Sequence, residues 1–364
     1  MSRPRRKNRI RGLDSLRALA VLGVLLYHVF PVVFSGGFFG VVAFFVISGY
    51  LSGYRTLTQM KERTFSLGNY YRKRFFRIWP AMIIVLLAGT AVLSRIDLYR
   101  LADSRQEFLS AVLGYNNYWQ LKMNASYFND LADSSPFTHL WYIAVLIQFD
   151  LVWPWIMMIH YRIRRSAGKF LPLLLFFCLT VFSFLVMPWE LLVKGKDLSW
   201  VYYATGTRVF SLMAGAFAGM MRAESLGIRP LKSGNPYIPQ ILYAAFVVIT
   251  VLLYLGASGS SRMVYLGGMQ LYTIAVCLVI ELIAMNRRTF RRFVDGRLSR
   301  WLSSLSYEIY LWQYPVLLFS RLLFPEQKAL AVVLTLAVIL VLSVWLHLFT
   351  SSLFPQRNRK AVHA

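Results

Sequence analysis

The stretch RALAVLGVLLYHVF, residues 17–30, is apolar enough for the interior of a bilayer, yet it opens on Arg17 and carries His28 in its far half. The rest of the 364-residue chain explains its setting. Hydrophobic residues make up 57% of the positions and the mean hydropathy is +0.53, a composition that cannot face water on all sides. The chain reads as an all-α integral membrane protein. Its basic start, MSRPRRKNRIR, resembles that of a signal peptide, but the apolar run behind it is long and has no clear small-residue cleavage site, so it reads as a retained first helix.

Apolar windows of roughly 20 residues, the length needed to cross a bilayer, fall near 14–34, 37–56, 76–94, 139–160, 170–188, 200–221, 238–256, 264–285, 301–322 and 329–352. About ten transmembrane helices put both termini on one side. Thirty of the 40 Lys and Arg lie in the N-terminus, in alternate loops and in the tail on that side, which predicts cytoplasmic termini. The net charge of +25 is thereby read as topology, with no nucleic-acid partner. The domains expected are a basic cytoplasmic N-terminus (1–13), one membrane domain (14–353) and a basic cytoplasmic tail (354–364), with no soluble domain after the last span. The longest exterior segment, 96–138, holds Asp97, Asp103, Glu107, Asp130 and Asp133. Cys178 and Cys277 lie in apolar runs, where thiols pack as small hydrophobes rather than form disulfides or a metal site.

Ionisable groups at membrane depth are the candidates for function. Eleven helical steps separate Arg17 from His28, about three turns or 16 Å, so both project from one face, Arg17 near the cytoplasmic surface and His28 deeper. Arg17 is read either as an interfacial anchor, alone or paired with Asp14, or as a functional cation; His28 can take a proton from a hydroxyl or attack an acyl group itself. In YYRKRFFRIWP, Arg74 and Arg77 sit one turn apart, a spacing that suits forked hydrogen bonds to phosphate or carboxylate. The GGFFGVVAFFVISGYL run, with Gly36, Gly37, Gly40 and Gly49, permits the second span to fold closely against the first. His139 stands at the exterior mouth of a span, with Gln148 and Asp150 farther in, and Arg208 enters from the exterior side as one candidate partner for Asp150. Glu281 and Glu308 receive no role, and His160, His347 and His363 read as structural or solvated.

Taken in order, RGLDSLRALAVLGVLLYH, GGFFGVVAFFVISGYL, YYRKRFFRIWP, SYF with SPFTHLW, YYATGTRVFSLMAGAFAG and SYEIYLWQYPV resemble acyltransferase family 3, bacterial inner-membrane O-acyltransferases that modify cell-surface glycans. The resemblance runs from about Arg11 to Pro355. It implies a multi-pass protein of the bacterial cytoplasmic membrane, with ten spans. An acyl-CoA, most simply acetyl-CoA, serves as donor substrate on the cytoplasmic side, with no permanently bound cofactor and no metal. A cell-envelope glycan is the acceptor outside. It marks Arg17 and His28, and Arg74 and Arg77, as functional, and places Arg208 on the family's Thr-Arg position and His139 on its His-x-Trp position. On this reading Arg17, Arg74 and Arg77 hold the coenzyme phosphates, while His28, His139 and Asp150 are the catalytic candidates.

The chain departs from the family pattern where Val42 replaces an acidic residue, where Leu146, Ile147, Gln148, Phe149 and Asp150 stand for Glu-Glu-Gln-Phe-Tyr, and where Trp312-Gln313 stands for Trp-His. These changes leave the acid/base partner of His28 open between Asp150 and the exterior acids. Related peptidoglycan O-acetyltransferases also carry an extracellular serine-esterase-like domain; here a separate partner protein, or the membrane domain itself, is expected to complete transfer. The alternative is a transporter or flippase-like protein on the same scaffold without transfer chemistry, or a sensory or assembly subunit.

Overall fold

The computed structural model describes residues 12–123, 135–227, 237–285, 294, 296–324, 326 and 329–353. Residues 1–11 and 354–364 of the expected termini lie outside these, as do Asp130, Asp133, His363 and the side chain of Asp103. Among the described residues there is no strand. The long helices are α1 (Leu13–Val29), α2 (Phe39–Lys61) and α3 (Leu67–Ile96), followed on the far side by α4 (Leu98–Val112) and α5 (Asn116–Lys122). Then come α6 (Trp141–Ala167), α7 (Phe170–Leu192), the short α8 (Leu198–Tyr203), α9 (Thr205–Ala223), α10 (Ile238–Gly256), α11 (Met269–Met285), α12 (Arg297–Leu323) and α13 (Ala329–Leu353).

Helix ends follow local chemistry. The first window was expected to run to residue 34, but α1 stops at Val29 because Pro31 forces Phe30 out of the helical region, to φ −130° and ψ 66°. Ser66, Asp97 and Asp197 cap α3, α4 and α8 by accepting backbone N–H bonds at 3.4, 3.0 and 2.6 Å. The segment 96–138, expected only as a polar exterior stretch, contains two helices, α4 and α5.

Among the described residues, six helical segments are long and apolar enough to cross a membrane: α3, α6, α7, α10, α11 with the π-helical turn before it, and α13. Helices α1, α2, α9 and α12 also occupy apolar windows, but they carry the Gly, Ser and charged residues of the interior. Helices α7, α10 and α13 turn large apolar side chains outward, among them Phe182, Val248 and Val341, as lipid-facing surfaces do. The free thiol of Cys178 is exposed on α7, while that of Cys277 is half-buried on α11.

The centre of the bundle is the crossing of α2 and α9, the most extensive helix pair. Two small-xxx-small faces meet there. A Cβ added at Gly49 or Gly53 would fall 2.0 or 2.2 Å from the carbonyl oxygens of Leu212 and Ala216. Reciprocally, one at Gly215 or Gly219 would fall 2.1 or 2.2 Å from those of Val46 and Tyr50. Without a hydrophobic drive between helices in lipid, this backbone-to-backbone approach is what packs them. The expected folding of α2 onto α1 is present too, with Gly37 and Gly40 set against the carbonyls of Gly23 and Ala20.

Carboxylates tie the helix ends. Glu224, at the end of α9, accepts from Arg164 Nη2 at 3.0 Å on α6 and from Lys61 Nζ at 3.3 Å on α2. Glu281 accepts from Tyr50 Oη at 2.7 Å, and Glu308 meets His347 Nδ1 at 3.1 Å. Gly53→Ala and Gly219→Ala are each expected to lose at least about 2 kcal/mol of stability, read as a lowered unfolding midpoint in detergent. Gly68→Ala, where an added Cβ meets nothing within 4 Å, is expected to be neutral or stabilising.

Candidate active site

Four arginines from three helices converge at the basic end of the bundle. Arg17 on α1, Arg55 on α2, and Arg74 and Arg77 on α3 lie within electrostatic range of one another. Such a gathering of like charge opposes folding unless an anion joins it. One carboxylate does: Asp150 on α6 meets Arg74 Nε at 3.3 Å and accepts from Tyr70 Oη at 3.0 Å. Arg74 also donates to Ser52 Oγ at 2.6 Å and lies over the Tyr70 ring, 5.2 Å from its centroid.

This corrects two expectations. Asp150 is partnered by Arg74 rather than by Arg208, because it sits about three turns along α6 from His139, at the level of the basic end. The second concerns the two arginines one turn apart, which divide: Arg74 takes the carboxylate of Asp150 and Ser52, whereas Arg77 is exposed. Arg55 was missed in sequence, where it reads as a flanking cation of the second span.

The histidines occupy a second layer at the opposite end. His28 and His139 are both buried, and Tyr314 on α12 lies between them, its ring centroid 5.1 Å from each. It stacks on His139 at 15° and meets His28 edge-on at 87°. His139 is fixed by a helix defect. Pro315 has no N–H to give the carbonyl of Leu311, four residues earlier in α12, and His139 Nε2 occupies that carbonyl at 3.2 Å. A carbonyl only accepts, so this bond uses an N–H at Nε2, and the Pro136 carbonyl reaches the same ring. Tyr310 Oη donates to the His139 carbonyl from the same helix. Arg321 Nη2 reaches the carbonyl of His28 at 3.4 Å.

Arg208 belongs to this layer. Its guanidinium lies 4.1 Å from the Tyr202 centroid and 5.3 Å from that of Trp141, and Nη1 donates to Met269 Sδ at 2.7 Å. Val42, in the position of the family's acid, is simply buried core.

Helices α4 and α5 pack polar side chains against α6 and the start of α9. Gln148 Nε2 donates to Asn117 Oδ1 at 2.9 Å and to the Gly114 carbonyl at 2.8 Å, and Thr205 Oγ1 donates to Gln148 Oε1 at 2.5 Å. Glu107 is buried there, accepting from Gln120 Nε2 at 2.5 Å and from Ser135 Oγ. Burial pushes its carboxyl up to about 7, against the opposing pull of the Ser135, Gln120 and Asn116 hydrogen bonds.

The sequence matches the acyltransferase-domain family over residues 10–348. The chain belongs to this family. It is 30% identical to YrhL of Bacillus subtilis (strain 168) over 315 residues, 85% of this chain and 49% of the relative. It is 29% identical to peptidoglycan O-acetyltransferase OatA of Listeria monocytogenes over 316 residues, 84% of this chain and 49% of that protein. It is also 26% identical to O-acetyltransferase OatA of Staphylococcus aureus over 309 residues, 85% of this chain and 50% of that protein. The chain thus spans about half the length of the curated relatives it matches. No solved structure matches it.

Asp150→Asn strands the Arg74 guanidinium and is expected to cost about 3 kcal/mol, seen as a drop in the unfolding midpoint at pH 7. Glu107 carries the opposite sign from a salt-bridged acid. Its folded pKa is raised from 4.5 to about 7, so the fold binds the proton more tightly and loses stability as pH rises through that window, by about 3 kcal/mol in all. Midpoints measured from pH 4.5 to 8 are expected to fall in the wild type relative to Glu107→Gln, which has no such slope from this group.

Proposed function

We propose that the chain is an O-acyltransferase of the bacterial cytoplasmic membrane, taking an acyl group, most simply acetyl, from acyl-CoA and delivering it to a hydroxyl of a cell-envelope glycan. The observation that carries this reading is the two-layer arrangement along α1, an arginine basin at the basic end and a buried histidine pair about 16 Å farther. Ten spans with the basic end in the cytoplasm agree with the asymmetry of Lys and Arg.

Coenzyme A carries several phosphate charges and a long flexible arm ending in a thioester. Arg17, Arg55 and Arg77 are the cations for the phosphates, since Asp150 already engages Arg74. The arm then runs between the helices to His28, which either accepts the acyl group or deprotonates the attacking hydroxyl. His139, held through Nε2 at the Leu311 carbonyl and stacked on Tyr314, is the second imidazole available for proton transfer. Transfer ends on the side opposite the basic end, on the glycan directly or through a separate extracytoplasmic protein.

The test is release of CoA and transfer of label from radiolabelled acetyl-CoA by the purified chain in lipid nanodiscs. His28→Ala is expected to lower the rate by at least about 100-fold. Arg77→Ala is expected to raise KM for acetyl-CoA more than it lowers kcat. A folded wild type that releases no CoA from acetyl-CoA or longer acyl-CoAs would overturn the donor assignment.

A further inference from the structure

Gln313 is the residue of the histidine layer that keeps a donor in reserve. It lies on α12, one residue before Tyr314, and is wholly buried. Its side chain makes a loose hydrogen bond to the His28 ring. Nε2 closes no further hydrogen bond with any described group. A buried amide left in this state is costly, and native proteins rarely keep one without a role. On the same helix turn the Leu311 carbonyl is taken by His139, and Tyr310 donates to the His139 carbonyl. The amide is therefore spare donor capacity, fixed on a rigid helix beside the candidate reacting imidazole.

We propose that the Gln313 amide is a catalytic group of this site, its Nε2–H binding the carbonyl oxygen of the acyl thioester as the acyl group is transferred beside His28. In that step a nucleophile forms a bond to the acyl carbon and the carbonyl π pair moves onto oxygen. Nε2–H donates to that oxygen as its charge grows. Collapse re-forms the carbonyl and breaks the C–S bond, and the coenzyme thiolate takes up the proton that the nucleophile gave up. The same assistance serves an imidazole nucleophile or a hydroxyl activated by His28, because both place negative charge on the same oxygen. The inference rests on the acyl-CoA reading above and deepens it by naming the group that recognises the thioester carbonyl.

The experiment uses the full chain in nanodiscs with radiolabelled acetyl-CoA and compares wild type, Gln313→Met and Gln313→His, alongside equilibrium binding of CoA and unfolding midpoints. Methionine keeps the shape and removes both polar atoms. Turnover by this variant is expected to drop by at least about 100-fold, the range lost with one donor to a developing oxyanion. Its CoA affinity is expected to stay within about threefold of the wild type, with a midpoint equal to or above it. Histidine, which restores a donor, is expected to recover at least about tenfold over Met and to bring a new pH dependence of turnover near neutrality. A wild type that turns over while Gln313→Met stays within about threefold of its rate would overturn the proposal and leave the donor assignment standing. So would a lowered midpoint with turnover and CoA affinity falling together, the pattern of a merely structural amide. A wild type that releases no CoA would instead sink the acyl-CoA reading itself.

Discussion

The approach of α2 to α9, backbone against backbone, is the constraint on which the other positions depend. Because Gly49 and Gly53 lie on carbonyls of α9, and Gly215 and Gly219 on carbonyls of α2, the two helices share one close crossing with no side chain between them. Everything that α2 carries is thereby placed. Ser52 and Arg55 face the basin, with Ser52 accepting from Arg74, and Tyr50 reaches Glu281 on α11. At the other end, α9 sets Arg208 against the rings of Trp141 and Tyr202. A single methyl group at the crossing would move the basin and the histidine layer relative to one another.

The polar groups inside this bundle divide into those the fold answers and those it leaves available. Glu224, Glu281 and Glu308 meet cations or hydroxyls from neighbouring helices, and they serve as clamps. Arg74 is answered by Asp150 and Ser52. Arg77 remains exposed in a basin of like charge, and Nε2 of Gln313, whose side chain reaches the His28 ring, has no further partner among the described residues. Charge and donor capacity are thus left over at two depths on neighbouring helices.

Proline gives the histidine layer its geometry. Pro315 removes one helical hydrogen bond from α12, and the freed Leu311 carbonyl becomes the anchor that holds the His139 ring. Tyr314, between that carbonyl and the proline in the chain, is then held between the two imidazoles. A regular helix would have spent the carbonyl on its own backbone.

Much of this was legible in the sequence, for reasons that are local. Apolar windows mark helices because lipid leaves the backbone no other partner, and basic residues crowd the alternate loops. The spacing of Arg17 and His28 puts both on one face of a single helix, which periodicity alone determines. Pairings between helices were not legible. Asp150 answers Arg74 across α6 and α3, Arg55 of α2 joins a basin begun by Arg17 of α1, and His139 takes a carbonyl freed by Pro315 on α12. Each of these joins residues on different helices, far apart along the chain, and no local spacing encodes them. Sequence periodicity fixes which face of a helix a residue occupies, but only the tertiary packing, set by glycines that let two backbones touch, decides which other face it meets.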